Sequence, residues 1–181
     1  MRKSQKGLFL IGMIGAVGSG KTHIARMLSR RLRARCITTD EIRVKLRRQG
    51  KSYDRAAVIT RALAERIIGR GESVIFDFDA INPERHRELS ELADVFGARL
   101  YLITVHAPEG LILARLRRKR YTPSDLFINA EEAVRVYFER KAFRQKFRAE
   151  RLRLAGVVSQ NVSRVSRLII QSPSPHKSRG S

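Results

Sequence analysis

The apolar run from Leu8 to Ile14 gives way at once to Gly15-Ala16-Val17-Gly18-Ser19-Gly20-Lys21-Thr22, and this junction constrains the chain more than any other feature. A run so continuously apolar reads as a strand buried on both faces, which is the habit of parallel sheets. The segment behind it satisfies G-x-x-x-x-G-K-[ST] in the context that gives the pattern meaning: strand before, helix after. Its glycines let the backbone turn tightly, so that successive N–H groups point inward and surround phosphate oxygens. The first turn of the following helix adds its partial positive charge. Lys21 is expected to reach the β- and γ-phosphates of a nucleotide, and the Thr22 hydroxyl to ligate Mg²⁺.

The N-terminus offers a competing reading. Met1-Arg2-Lys3 and Lys6 before an apolar stretch imitate a secretory signal peptide,. The stretch is short for that pattern, no clean small-residue cleavage site follows, and Gly20-Lys21-Thr22 comes immediately after. The strand reading is preferred. No run approaches the roughly 18 apolar residues of a membrane span, so no membrane association is expected.

Downstream, strands and helices alternate. Lys21 to about Leu32 reads as a helix and Cys36-Ile37-Thr38 as a short strand; Asp40 is expected to cap a helix that runs to about Gln49 and stops at Gly50,. Ala56, Ile59, Leu63 and Ile67 recur at helical spacing between Tyr53 and Ile68,. Ser73 to Phe78 is the next strand, Pro83 to about Val95 a helix with proline in its first turn, Arg99 to Val105 a strand, and Pro108 to about Lys119 another proline-started helix,. Such alternation predicts an α/β fold with a parallel sheet flanked by helices on both faces. A basic turn follows from Arg117 to Pro123, then a long basic amphipathic helix from Glu131 to about Leu154. Residues 1–155 are expected to form the catalytic domain, residues 156–171 to hold two short edge strands, and residues 172–181 to be a disordered basic tail,.

Composition narrows the chemistry. A single cysteine, Cys36, excludes an internal disulfide framework and a cysteine-based metal site, and suits a reducing cytoplasm,. The four histidines form no metal-binding pattern,. Thirty-eight Lys and Arg against 17 Asp and Glu give a formal net charge of +21. Such a field draws in polyanions, so nucleic acid is a candidate partner, although charge alone speaks to solubility and non-specific binding. No N-K-x-D guanine-reading segment is present among the 181 residues, and the chain has no room for a second large domain.

The downstream residues must then decide what the nucleotide is used for. Asp40 lies just past the end of a predicted strand, near the carboxyl edge of the sheet where open α/β folds bind ligands,. Arg43, three residues on, shares its helix face,. A carboxylate there could accept the proton of an attacking hydroxyl, and a guanidinium beside it could hold an acceptor phosphate or balance transition-state charge. An N-cap aspartate with a surface arginine is the plainer alternative.

Gly15–Thr22, Asp40-x-x-Arg43, and a strand ending in Asp77 followed by Ile81-Asn82-Pro83-Glu84-Arg85 together resemble the small P-loop kinases. These group with the 5′-hydroxyl polynucleotide kinase domain, zeta toxin and related AAA domain-containing ATP-binding proteins. The resemblance spans about residues 7–145. It implies a three-layer P-loop NTPase fold with a helical lid, ATP and Mg²⁺ as cofactors, Asp40 as general base and Arg43 on the acceptor. It also implies one carboxylate at the end of the third strand for the metal's water shell or the acceptor, and here Asp77 and Asp79 compete, with Asp77 preferred because it directly follows the apolar run. Arg85 is either an acceptor contact or a solvated side chain. The lid arginine that closes over the phosphates is expected to be Arg118 or Arg120, from the cluster Arg115, Arg117, Arg118, Lys119 and Arg120.

Two functions remain open at this level. One is a kinase moving the γ-phosphoryl of ATP to a hydroxyl on nucleic acid or a small molecule. The other is a nucleotide-switched nucleic-acid-binding protein that hydrolyses ATP slowly and works through its basic helix. In that helix Tyr137, Phe138, Phe143 and Phe147 read better as a core stripe than as base-stacking groups.

Overall fold

The apolar run forms strand β1 (Phe9–Ile14), in which Leu10, Ile11, Met13 and Ile14 are almost wholly removed from solvent. The computed structural model describes residues 7–78, 83–146 and 156–158. In chain order β1 is followed by α1 (Lys21–Leu32), β2 (Arg35–Thr38), α2 (Thr39–Arg48), α3 (Arg55–Ile68), β3 (Val74–Asp77), α4 (Pro83–Val95), β4 (Arg99–Thr104), α5 (Glu109–Arg118), α6 (Ala130–Lys146) and β5 (Gly156–Val158).

The five strands lie in the order β2-β3-β1-β4-β5, all neighbours parallel. Strand alternation sends Leu10, Ile14, Val74, Phe76 and Leu102 to one face, where Ala64 and Ile68 of α3 and Leu89, Leu92 and Ala93 of α4 cover them,. Ile11, Met13, Ile75 and Ile103 face the other way, onto Ala25 and Leu28 of α1. Two layers of helix therefore sandwich the sheet, which is why its strands read as unbroken apolar runs. The connections from β1 and β3 leave toward opposite faces, and the carboxyl ends of these adjacent strands open the crevice that holds the site,.

Two expectations shift in detail. Asp40 is not a cap: Thr38 stands at the N-cap of α2 without a side-chain cap bond, and Asp40 sits inside the first turn. Among the aromatic residues of α6, only Tyr137 is buried, while Phe138 and Phe143 are 46% and 42% exposed. Phe147, and the apolar piece at Leu168–Ile170, lie outside the described residues. The strand at Val157–Val158 is present as β5, at the edge of the sheet. Among the described residues no helix is long and apolar enough to cross a membrane.

Candidate active site

Between β1 and α1 the chain wraps a small concavity. Gly20 takes φ 97° at the N-cap of α1, a conformation open to glycine and costly for other residues,. Gly15 is held by close approach instead: a Cβ there would meet Ser19 Oγ and the Val105 carbonyl oxygen at 2.8 Å. Ser19 is buried, and its hydroxyl has no hydrogen-bond partner. A cradle too tight for one extra carbon, lined by backbone and an unpartnered hydroxyl, suits the oxygens of a phosphate chain. The apex of the turn is covered from above. Val17 packs with Ile112 and Leu116 of α5 and with Ala133 and Tyr137 of α6. Arg144 of α6 donates to the Gly15 carbonyl at 3.4 Å.

Asp77 ends β3 facing α1 and is 4% exposed, with neither carboxylate oxygen hydrogen-bonded. Burial raises its pKa above the ordinary carboxylate value; the Lys21 ammonium and Thr22 hydroxyl pull it down, and the negative charge of Asp40 adds to the rise,. A buried, unpartnered carboxylate beside a threonine hydroxyl at the mouth of a phosphate cradle is the donor set that a hydrated Mg²⁺ requires. Thr22 and Asp77 thus fit the metal expected of them. Asp79 lies outside the described residues.

Asp40 and Lys21 line one cavity, of about 220 Å³, with Arg43, Phe76, Phe78 and Arg85 among its other walls. The start of α2 is fixed there by a relay of hydroxyls. Thr60 Oγ1 donates to the Ala56 carbonyl at 2.7 Å, so the buried Thr39 hydroxyl is the donor in its 3.4 Å contact with Thr60,. Arg43 Nη1 donates to Asp40 Oδ1 at 3.1 Å, one turn along the same face. Arg85 reaches this cavity from α4, paired with Glu88 at 2.7 Å and lying 6.0 Å from the centre of the Phe78 ring. Two further residues, Arg140 and Phe143, come from α6. They were missed in the sequence because that helix was read for its net charge; its one-face spacing, Ala133, Tyr137, Arg140 and Arg144, held the signal,.

The arginines after β4 differ in what they touch. Arg115 Nη1 donates to the carbonyls of Gly18 and Ser19, both at 3.3 Å. Arg118 and Arg120 are exposed on the last turn of α5 and just beyond it. Arg115 follows Ile112 by three residues and so shares the face that packs on the glycine turn,. The stretch from Lys119 to Asn129, between α5 and α6, contains no helix. It is tied to α2 instead, where Arg47 donates to the carbonyls of Pro123, Asp125 and Leu126 at 3.0, 2.6 and 3.0 Å. Elsewhere on the sheet the half-buried Cys36 thiol is pushed up to about 11, chiefly by burial, which removes it as a nucleophile at neutral pH,.

The architecture is the three-layer P-loop NTPase fold. It is similar to that of a gluconokinase from Sinorhizobium meliloti 1021, at 17% identity and a TM-score of 0.51 over 93% of this chain and 91% of that one. It is also similar to a candidate kinase from Chloroflexus aurantiacus j-10-fl, at 17% identity and a TM-score of 0.52 over 70% of this chain and 78% of that one. Likeness at this identity is a likeness of fold. No curated protein matches the sequence. Residues 10–145, from the central strand through α6, match the model of the AAA domain family, and the chain belongs to that family.

Proposed function

We propose that this protein is an ATP-dependent kinase that transfers the γ-phosphoryl group to an alcohol, in the manner of the polynucleotide 5′-hydroxyl kinase and zeta-toxin branch of P-loop enzymes. One observation carries the reading: Asp40, paired with Arg43, lines the same cavity as Lys21. An alcohol between them would present its oxygen to the terminal phosphate and its proton to a carboxylate. The acceptor oxygen attacks phosphorus, the bond from phosphorus to the bridging oxygen of ADP breaks, and Asp40 Oδ takes the proton. Gly15 through Thr22 hold the phosphates, Lys21 offsets charge on the transferring group, and Arg43 orients the acceptor. Thr22 and Asp77 would hold the metal, which would supply positive charge against that of the phosphate chain. Asp77 is preferred to Asp79 for this because of its buried, unpartnered oxygens. Arg85 belongs to the acceptor side, since it shares the cavity with Asp40. Of the arginines after β4, Arg115 is the favoured phosphate-side group, ahead of Arg118 and Arg120, because it touches the loop. The working compartment is the cytoplasm, as the lone cysteine suggests.

A screen with γ-labelled ATP tests this, offering 5′-hydroxyl DNA, 5′-hydroxyl RNA and pooled small metabolites. Asp40→Ala should lower transfer by about 10²-fold or more while ATP still binds, and Lys21→Ala should abolish transfer. Hydrolysis of ATP with no label passed to any acceptor, unchanged by Asp40→Ala, would replace the kinase with a nucleotide-switched nucleic-acid-binding protein. The net charge of +21 is the observation that keeps that second reading in view.

A further inference from the structure

Many residues around the chamber that holds Asp40 are polar, but they are engaged with one another. Asp40 accepts from Arg43 at 3.1 Å, Glu88 from Arg85 at 2.7 Å and Glu65 from Arg61 at 2.9 Å. The Thr60 hydroxyl donates to the Ala56 carbonyl and accepts from Thr39. These pairs fix the walls. A polyol seated among them would have to compete with the pairs for partners, and a hydroxyl buried without a partner is costly.

The rest of the wall is apolar. Phe76, Leu89 and Leu92 belong to the core between the sheet and α4, and Phe78 packs against that core with its ring 5.5 Å from the Phe76 ring, edge to face. Phe143 lines the same chamber from α6. Phe78 is half-buried and Phe143 exposed, so both keep open ring surface. Small-molecule sites have this constitution, apolar and aromatic walls around a few placed polar groups. The size is informative too. At about 220 Å³ the chamber exceeds the roughly 150 Å³ of an apolar protein cavity that takes up benzene, which leaves room for one ring and the carbon that bears the hydroxyl,.

We infer that the acceptor is an alcohol bearing one apolar ring, an aryl group or a nucleobase, with the ring against Phe78 and Phe143 and the hydroxyl at Asp40. Phe143 is the residue that selects it. Phe78 is built onto the core, whereas Phe143 stands on an exposed position of α6 and can change without opening the interior. Substituents on the ring extend into the wider groove of about 710 Å³ that adjoins the chamber, beside Tyr53 and the Leu126–Ile128 segment. The inference rests on the kinase reading for the fate of the hydroxyl, while the ring site is tested without it.

The experiment uses matched pairs on the full chain: 1-phenyl-1,2-ethanediol with propane-1,2-diol, and thymidine with 2-deoxyribose. Binding is measured by ligand-observed NMR titration with a non-hydrolysable ATP analogue and Mg²⁺ present, and transfer is measured separately with ATP. The ring-bearing member of at least one pair should bind about tenfold or more tightly than its ringless partner. The first pair reports on an aryl ring and the second on a nucleobase. Phe143→Ala should erase most of that preference and leave the affinity of the ringless member and of the ATP analogue unchanged, and Phe143→Leu should recover part of it. Phe138→Ala, at an exposed position of the same helix that does not line the chamber, should alter none of these values. Equal binding and equal transfer within both pairs would overturn the inference and leave the kinase intact. A ring preference with no transfer to any probe would uphold the ring site and sink the kinase. No binding of any probe would overturn the inference, as would a ring preference that Phe143→Ala leaves untouched or that Phe138→Ala removes equally.

Discussion

Asp77 carries the sharpest conflict between stability and use at the level of single side chains. Its buried carboxylate lacks a hydrogen bond, and its pKa is raised mainly by burial. A raised folded-state pKa means the native protein holds the proton more tightly than the unfolded chain. The stabilising contribution is then full below the unfolded pKa of about 3.9 and is lost as pH rises through the folded value. Asp77→Asn should therefore raise the melting temperature of the nucleotide-free protein at pH 7 by a few degrees, since an uncompensated buried group costs about 1–3 kcal/mol and each kcal/mol moves Tm by about 2–4 °C at this size. The gap between variant and parent should close as pH falls, and Mg²⁺-dependent transfer should drop by about 10²-fold. Calorimetry across pH 4–8, with and without Mg²⁺-ATP, checks both halves; a less stable variant at every pH would refute the account. Arg115 makes a second prediction. Its two bonds to the Gly18 and Ser19 carbonyls hold the loop's outer edge, so Arg115→Ala should cost about tenfold in kcat/KM for ATP,. Arg118→Ala and Arg120→Ala, which remove neither of these bonds, should cost less. Equal losses in all three would return the choice to the arginines favoured by sequence. The pattern D-x-x-R was legible because three residues on a helix always bring two side chains together. The arginine that touches the loop was not, because five cations in six residues satisfy any local rule equally well.

Among elements, α2 does two jobs: its first turn carries Asp40 and Arg43, and its last turn anchors the chain between α5 and α6. Arg47 donates to three carbonyls in that segment, and Arg48 donates to the Ser124 hydroxyl at 2.6 Å. Asp125 gathers the segment from within, pairing with Lys119 and accepting from the Thr122 amide at 2.8 Å and hydroxyl at 3.0 Å. The helix that carries Asp40 and the segment that leads into α6 are thus joined by polar bonds. Arg47→Ala should lower stability by about 1–2 kcal/mol and make residues 119–129 the first site of limited proteolysis. Arg47→Lys, with a compact ammonium that cannot span three carbonyls, should recover little of it. Unchanged cleavage kinetics in both variants would show that the segment is held by other means. Most helix limits were readable, the starts of α1 and α4 most clearly, because Gly20 and Pro83 mark them in the chain. The packing of α6 was not. Its buried face is narrow, Ala133 and Tyr137 within a mostly polar surface, and it is clamped by polar bonds: Glu109 accepts from the Tyr137 hydroxyl at 2.8 Å and from Lys141 at 2.5 Å. The helix itself was readable, but no apolar period announces packing of this kind.

For the whole molecule, the parallel α/β class followed from alternating patterns, but the strand order β2-β3-β1-β4-β5 did not. The central strands β1 and β3 are buried on both faces, so their sequences record that they have neighbours and say nothing of which. The net charge of +21 was equally visible and equally mute about purpose. The structure divides it. Part lines the cavity beside Asp40, and part is spread over the last turns of α1, α2 and α5, as Arg30, Arg31, Lys45, Arg47, Arg48, Arg115, Arg117 and Arg118, where cations complement the helix dipole,. Charge distributed over several helix ends neutralises phosphates without reading bases. Binding to any oligonucleotide should then be sequence-independent and steeply salt-dependent, falling by about 10³–10⁵ between 50 and 200 mM salt if 6–10 phosphates are contacted. On the proposed kinase reading, transfer to a small acceptor would depend on groups inside a cavity, where screening is weak, and should change far less over the same range. Titrating one oligonucleotide and one small acceptor through that salt series separates the two populations of charge. Asp40→Ala should leave the oligonucleotide slope unaltered, because the carboxylate lies in the cavity and the slope counts phosphates neutralised on the surface. A shallow slope combined with a sequence preference would mean that the basic helix ends form a true nucleic-acid site, and that the acceptor cavity is part of it.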